Sequence, residues 1–264
     1  PFNSIGIAVG DADGDGVTEL FLLEEVRVSV FRFDSQNNLI PVTEYEIGYT
    51  RQNVNINLFD INGDGLKEII ISAIDSDLDP RSYILSFANE HLEPVTETIR
   101  LFLNVVRLPP HYEQTLVASK GHRDYLMAKG VYEVVKMGGE YQVSRELSLP
   151  PDANAFNFCY LPTEEGYKVV ISDGNDRIRV YTHMGDRQYT TDTKYSGSAM
   201  GVEIPESIGG MQDSDLIPGM YYFPLPLIPI NLDGDKHFEL LVNKPISTAA
   251  QFFERYRFYP QGEV

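Results

Sequence analysis

A unit of four short apolar runs recurs along this chain with a period near fifty residues. That recurrence restricts the possible folds more than any other feature. In the first unit the runs are residues 5–9, 20–23, 26–33 and 42–47. Residues 26–33 alternate apolar and polar side chains with period two, the pattern of a half-buried strand. The second unit repeats the order at 54–59, 69–71, 83–87 and 95–99, and the third at 102–108, 115–118, 131–137 and 141–147. The fourth runs through 156–160, 169–171, 178–181 and 188–193. The fifth starts near Leu225, continues at 240–242 and ends with 252–259. First runs begin near residues 5, 54, 102, 155 and 225, giving steps of 49, 48, 53 and 70. The long last step is absorbed by residues 197–218, rich in Gly, Ser, Pro and acids, which are expected to form a surface insertion.

Four short strands per unit at this period predict an all-β fold, a β-propeller of four-stranded antiparallel blades. Five blades are expected near residues 5–48, 54–99, 102–148, 155–195 and 225–264, all in a single domain spanning 1–264. One such sheet cannot bury both faces alone, whereas sheets packed against their neighbours can. Pro224, Pro226 and Pro229 fall in or beside the first run of the fifth unit. Proline cannot donate to a ladder, so that run belongs at an edge, the innermost edge of a blade. The fifth unit stops after three runs, and Pro1 is too close to the first run to supply a fourth. The ring is therefore expected to draw on a preceding segment or to be part of a larger propeller.

Between the first and second runs of units one, two and five lies an acidic loop. The three loops place oxygen side chains at positions 1, 3, 5 and 9. These are Asp11, Asp13, Asp15 and Glu19; Asp60, Asn62, Asp64 and Glu68; and Asn231, Asp233, Asp235 and Glu239. Alternate oxygens on a tight loop converge on one hard cation, and calcium takes six to eight oxygen ligands in flexible geometry. The position-7 carbonyls of Val17, Leu66 and His237 are expected to add a further ligand. Gly16 and Gly65 at position 6 permit the left-handed backbone of a sharp turn. In the third loop Lys236 stands there, and must either strain or open the loop. Two calcium sites are therefore expected, with a third at the last loop. An EF-hand needs a bidentate acid at position 12 and flanking helices. Position 12 is Leu22, Ile71 and Val242, and the flanks read as strands. The plainer alternative is an acidic turn that holds no ion; several uncompensated carboxylates in one turn argue against it.

The runs from Val9 to Leu20 and from Leu58 to Ile69 resemble the FG-GAP or VCBS-type repeat. This is the calcium-loop blade of integrin alpha-chain propellers and many bacterial surface proteins. The resemblance implies a propeller with structural calcium and a protein or carbohydrate partner on one face. The third loop departs from the pattern at Asn231 and Lys236, and units three and four lack the ligands.

Composition narrows the functional classes. Net charge is −18, which leaves no basic footprint for nucleic acid. With 42% hydrophobic and 23% charged residues the chain is of globular type. No apolar run is long enough for a membrane span, and no leader sequence is visible. The single cysteine, Cys159, sits among Phe and Tyr residues and reads as a packing residue. His91, His111, His122, His183 and His237 show no zinc-helix spacing. There is no Gly-x-Ser-x-Gly elbow, phosphate loop or dinucleotide fingerprint. Acids outside the loops could pair as a glycosidase dyad only through the fold. Residues 75–80 also alternate acids but read as a solvated turn, and residues 221–223 read as a packing cluster. The chain is therefore expected to be a non-enzymatic, calcium-stabilised interaction or adhesion module. Its compartment would be extracellular, cell-surface or periplasmic, where calcium sites of moderate affinity fill. The alternatives are a carbohydrate-active enzyme or lectin using the channel mouth, and a purely architectural domain of a larger surface protein.

Overall fold

The strand pattern of the sequence reappears as antiparallel sheets in the computed structural model, which describes residues 4–48, 51–123, 126–195, 201–203 and 220–243. In the first repeat β1 (Gly6–Gly10), β2 (Glu19–Leu23), β3 (Arg27–Phe33) and β4 (Leu39–Glu46) pair in chain order. The second repeats this with β5 (Arg51–Phe59), β6 (Glu68–Asp75), β7 (Ser82–Ala88) and β8 (His91–Ile99). A third four-stranded sheet joins Phe102–Leu108, Glu113–Ser119, Tyr132–Met137 and Glu140–Glu146. A fourth joins Phe158–Thr163, Gly166–Ser172, Ile178–Thr182 and Arg187–Thr190. No helix occurs among the described residues. The fold is all-β, built from four-stranded antiparallel propeller blades.

The chain divides into two compact units. One comprises Pro1–Val105, Gln114–Gly121 and Tyr132–Arg145; the other comprises Val106–Glu113, His122–Val131 and Glu146–Val264. In the first unit the central strands of the second blade are buried on both faces. Ile69, Ile71 and Ala73 join Phe21, Leu23 and Val30 in one core. Ile70 and Ile84 join Leu103, Leu116 and Ala118 in another. Successive strand side chains point to opposite faces, so β6 reads as an unbroken apolar run because it is packed between two neighbours. Polar clasps reinforce the stack. The Asn53 side chain donates to the Glu24 carbonyl and accepts from the Tyr83 hydroxyl, both at 2.9 Å. Ser72 Oγ donates to the Leu103 carbonyl at 2.7 Å. In the second unit Cys159, Val170 and Ile178 pack with Leu227. Burial pushes the Cys159 thiol up to about 12, as befits a packing residue.

Of the fifth repeat, Ile228–Ile230 and Glu239–Leu241 form an antiparallel pair with Pro229 opposite Leu240. Its last run, 252–259, lies outside the described residues. So does most of the expected insertion at 197–218. Its residues 201–203 form a strand paired with Met220–Tyr222. Phe223, next in line, is buried and meets Phe156 and Tyr221 edge to face. Residues 221–223 are thus a packing cluster.

One Asp-capped turn recurs in the first, second and fourth repeats. Asp34, Asp75 and Asp173 each accept, through Oδ1, the N–H groups two and four residues ahead, at 2.8–3.0 Å. The residue three ahead is left-handed each time: Asn37 (φ 61), Leu78 (φ 63) and Asp176 (φ 59). The acid run at 75–80 is this turn, tied further by Arg81 to Asp75 at 2.8 Å. Asn and Asp tolerate the left-handed region, whereas leucine strains there. Leu78→Asn is therefore expected to stabilise the fold by about 0.5–1 kcal/mol. A lowered midpoint in urea unfolding would contradict that account.

Candidate metal centre

Each acidic loop joins the first and second strands of its repeat, and all three share one register. Gly10 faces Glu19, Phe59 faces Glu68, and Ile230 faces Glu239. The position-9 acid is thus held at the loop base by a ladder, beside the residue that precedes position 1. Its Oε2 accepts the position-2 N–H in every case. Ala12 donates to Glu19 at 2.9 Å, Ile61 to Glu68 at 3.0 Å and Leu232 to Glu239 at 2.9 Å. At the other end, the position-1 side chain accepts the position-4 N–H at 2.7 Å from Gly14, Gly63 and Gly234. Position 5 accepts the N–H of Val17, Leu66 and His237 at 2.7, 2.8 and 2.5 Å. Sequence spacing treats position 9 as a ligand. The fold gives it a second role, because one oxygen of each staples the loop shut.

In the first loop the carboxylates of Asp11, Asp13 and Asp15 offer oxygens within 4.8 Å of one another. Asp11 also accepts the Gly16 N–H at 3.0 Å. Gly14 and Gly16 are left-handed at φ 75 and 86. Glu19 stands outside that cluster, fully buried. Here the fold adds a residue the sequence spacing does not reveal. Arg32, opposite Glu19 across β2 and β3, brings its guanidinium onto Asp13 at 3.0 Å, Asp15 at 2.9 Å and Glu19 at 2.7 Å. Burial alone would lower the Arg32 pKa; Glu19, Asp15 and Asp13 outweigh it and raise it.

The second loop is compensated differently. The Asn62 amide lies between Asp64 and Glu68, 3.0 Å from each. The N–H of Gly65, at 2.8 Å, and those of Gly63 and Asp64 hold the Asp60 carboxyl below the usual carboxylate range. Burial pushes Glu68 up, and the charges of Asp64 and Asp60 act in the same direction. Its carboxylates do not form a group of three as close as that of the first loop.

In the third loop Asp233, Asp235 and Glu239 do come within 4.8 Å of one another. Gly234 is left-handed at φ 77, but Lys236 is not among the left-handed residues. The backbone at Lys236 stays out of the left-handed region while the loop keeps the bonds from positions 2, 4 and 7. The Asn231 amide donates to the Asp235 carbonyl at 2.6 Å, where the first two loops send the position-6 N–H to the position-1 carboxylate. All three donor sets are oxygen, which suits a hard divalent cation and disfavours a soft one.

Residues 3–71, which contain the first two loops, match the FG-GAP-like repeat. No curated protein matches this chain significantly. Among solved structures it is similar to a GH43_1 enzyme from Xanthomonas citri complexed with xylose. The identity is 12% and the TM-score 0.50, over 94% of this chain and 92% of that one. It is also similar to the Dos1 propeller at 11% identity and TM-score 0.41, over 73% of this chain. The chain spans about half the length of that protein, the match covering 50% of it. Such likeness is one of fold.

Proposed function

We propose that the FG-GAP-like loops bind calcium, and that the metal is structural in a propeller serving as an interaction or adhesion module. The observation that carries this reading is the shared wiring of the three loops. In each, the staple from position 9 to position 2 and the bond from position 4 to position 1 present the oxygens of positions 3 and 5 on one turn. Asp11, Asp13, Asp15 and Glu19 would hold one ion; Asp60, Asn62, Asp64 and Glu68 a second; Asn231, Asp233, Asp235 and Glu239 a third. The carbonyls of Val17, Leu66 and His237 would contribute one oxygen each. Bound calcium would supply positive charge where carboxylates crowd, and so fasten the first strand of a blade to its second. The partner would be a protein or a carbohydrate, in an extracellular, surface or periplasmic setting where calcium is plentiful. The net charge of −18 supports the exclusion of nucleic acid.

The test is a thermal melt in calcium and in chelator. Binding to the folded loop alone stabilises by mass action, about 1.4 kcal/mol per site at ten times Kd. For a chain of this length that is a rise of about 3–6 °C per site. An unchanged midpoint rejects structural calcium. A carbohydrate-directed role, as lectin or enzyme, is the second reading, motivated by the fold shared with a xylose-bound enzyme. Glycan-array binding and xylan-oligosaccharide hydrolysis, each with and without calcium, separate it from protein adhesion.

A further inference from the structure

Among the described residues, Arg32 alone forms ion pairs with the carboxylates of an acidic loop. Its placement uses up the very oxygens a cation needs. Asp13 Oδ1 accepts the Asp15 N–H, and Asp15 Oδ1 accepts the Val17 N–H. The guanidinium holds the remaining oxygen, Oδ2, of both. It also holds Oε1 of Glu19, whose Oε2 is committed to Ala12. Three of the four side-chain ligands expected of this loop are thereby engaged by one fixed positive charge. The guanidinium is itself held in place, with the Phe87 ring 5.7 Å away and Glu90 at 3.8 Å.

Among the described residues the second loop has no such partner. Leu85 faces Ile69 as Phe31 faces Leu20, so the residue corresponding to Arg32 is Ser86. Its hydroxyl reaches the Glu93 carbonyl at 3.4 Å and carries no charge. A neutral amide, that of Asn62, takes the bridging place instead.

We propose that Arg32 is a built-in counter-cation that competes with a divalent ion for the first loop, leaving the second loop as the tighter site. The inference rests on the reading of these loops as calcium sites. The guanidinium satisfies the first loop's charge when no ion is bound, so the first blade keeps its loop closed without metal. An ion entering that loop must first displace it from Asp13 and Asp15.

The test is isothermal titration of the full, chelator-stripped chain with calcium chloride. It compares wild type, Arg32→Ser, Ser86→Arg, and the Arg32→Ser change in an Asp64→Asn background that weakens the second loop. Arg32→Ser is expected to raise first-loop affinity about tenfold or more, the effect of losing charge-assisted bonds that the ion must otherwise break. It should also lower the melting midpoint in chelator, with calcium restoring it. Ser86→Arg should weaken the second loop by a similar factor, and it carries the test if Arg32→Ser does not fold. Calcium binding at the second loop, with first-loop affinity unchanged or reduced in Arg32→Ser, overturns the competition while sparing the calcium reading. Calcium binding at neither loop in any variant overturns both.

Discussion

Glu19→Ala is expected to destabilise the metal-free protein by about 3–5 kcal/mol. Glu19 is fully buried, and each of its oxygens has a partner the variant strands. Arg32 loses contacts at 2.7 and 2.8 Å and is left facing Asp13 and Asp15. The Ala12 N–H, in a residue 1% exposed, loses its acceptor at 2.9 Å. Removing one partner of a buried pair is costly because the other stays desolvated; the orphaned amide adds about 1–3 kcal/mol. Glu19→Gln preserves an acceptor for Ala12 and should recover part of the loss. Urea unfolding in chelator reads all three proteins. A loss below about 1 kcal/mol for the alanine variant would show that the staple does not hold this loop.

Phe21→Ala is expected to cost about 3–5 kcal/mol, as aromatic truncation in a packed core does. Phe21 is fully buried on β2, in a cluster with Leu23, Val30, Ile69 and Leu85 drawn from two blades. Its ring meets Phe87 edge to face at 5.8 Å, and Phe87 in turn lies beside the Arg32 guanidinium. The cavity would therefore loosen both the blade contact and the wall against which Arg32 rests. Phe33, 55% exposed at the end of β3, is the control. Its truncation should fall within about 0.5 kcal/mol. Equal losses at the two positions would mean that the first two blades do not share this core.

The sequence carries whatever depends on short spans of chain. Asp, Asn and Gly at fixed offsets over nine residues determine the loop turn, because the bonds that close it run between neighbours two to seven positions apart. The period-two alternation of residues 26–33 and the recurrence near fifty residues announce the blades for the same reason: each strand follows its predecessor after a short turn. Residues 75–80 show the same local logic: their acids alternate like a ligand series but read as a turn, and Asp75 caps that turn at Asp77 and Asp79. Arg32 and Glu19 are thirteen residues apart, and nothing in that spacing joins them. They meet because β2 and β3 pair in one register, fixed by the burial of Phe21, Val28 and Val30 on one face. A slip of one residue would carry Arg32 to the other side. Local chain chemistry thus determined the repeat, the strands and the oxygen-lined turns. Tertiary packing decided which face of β6 meets which blade, which oxygen of Glu19 staples its loop, and which cation the first loop keeps for itself.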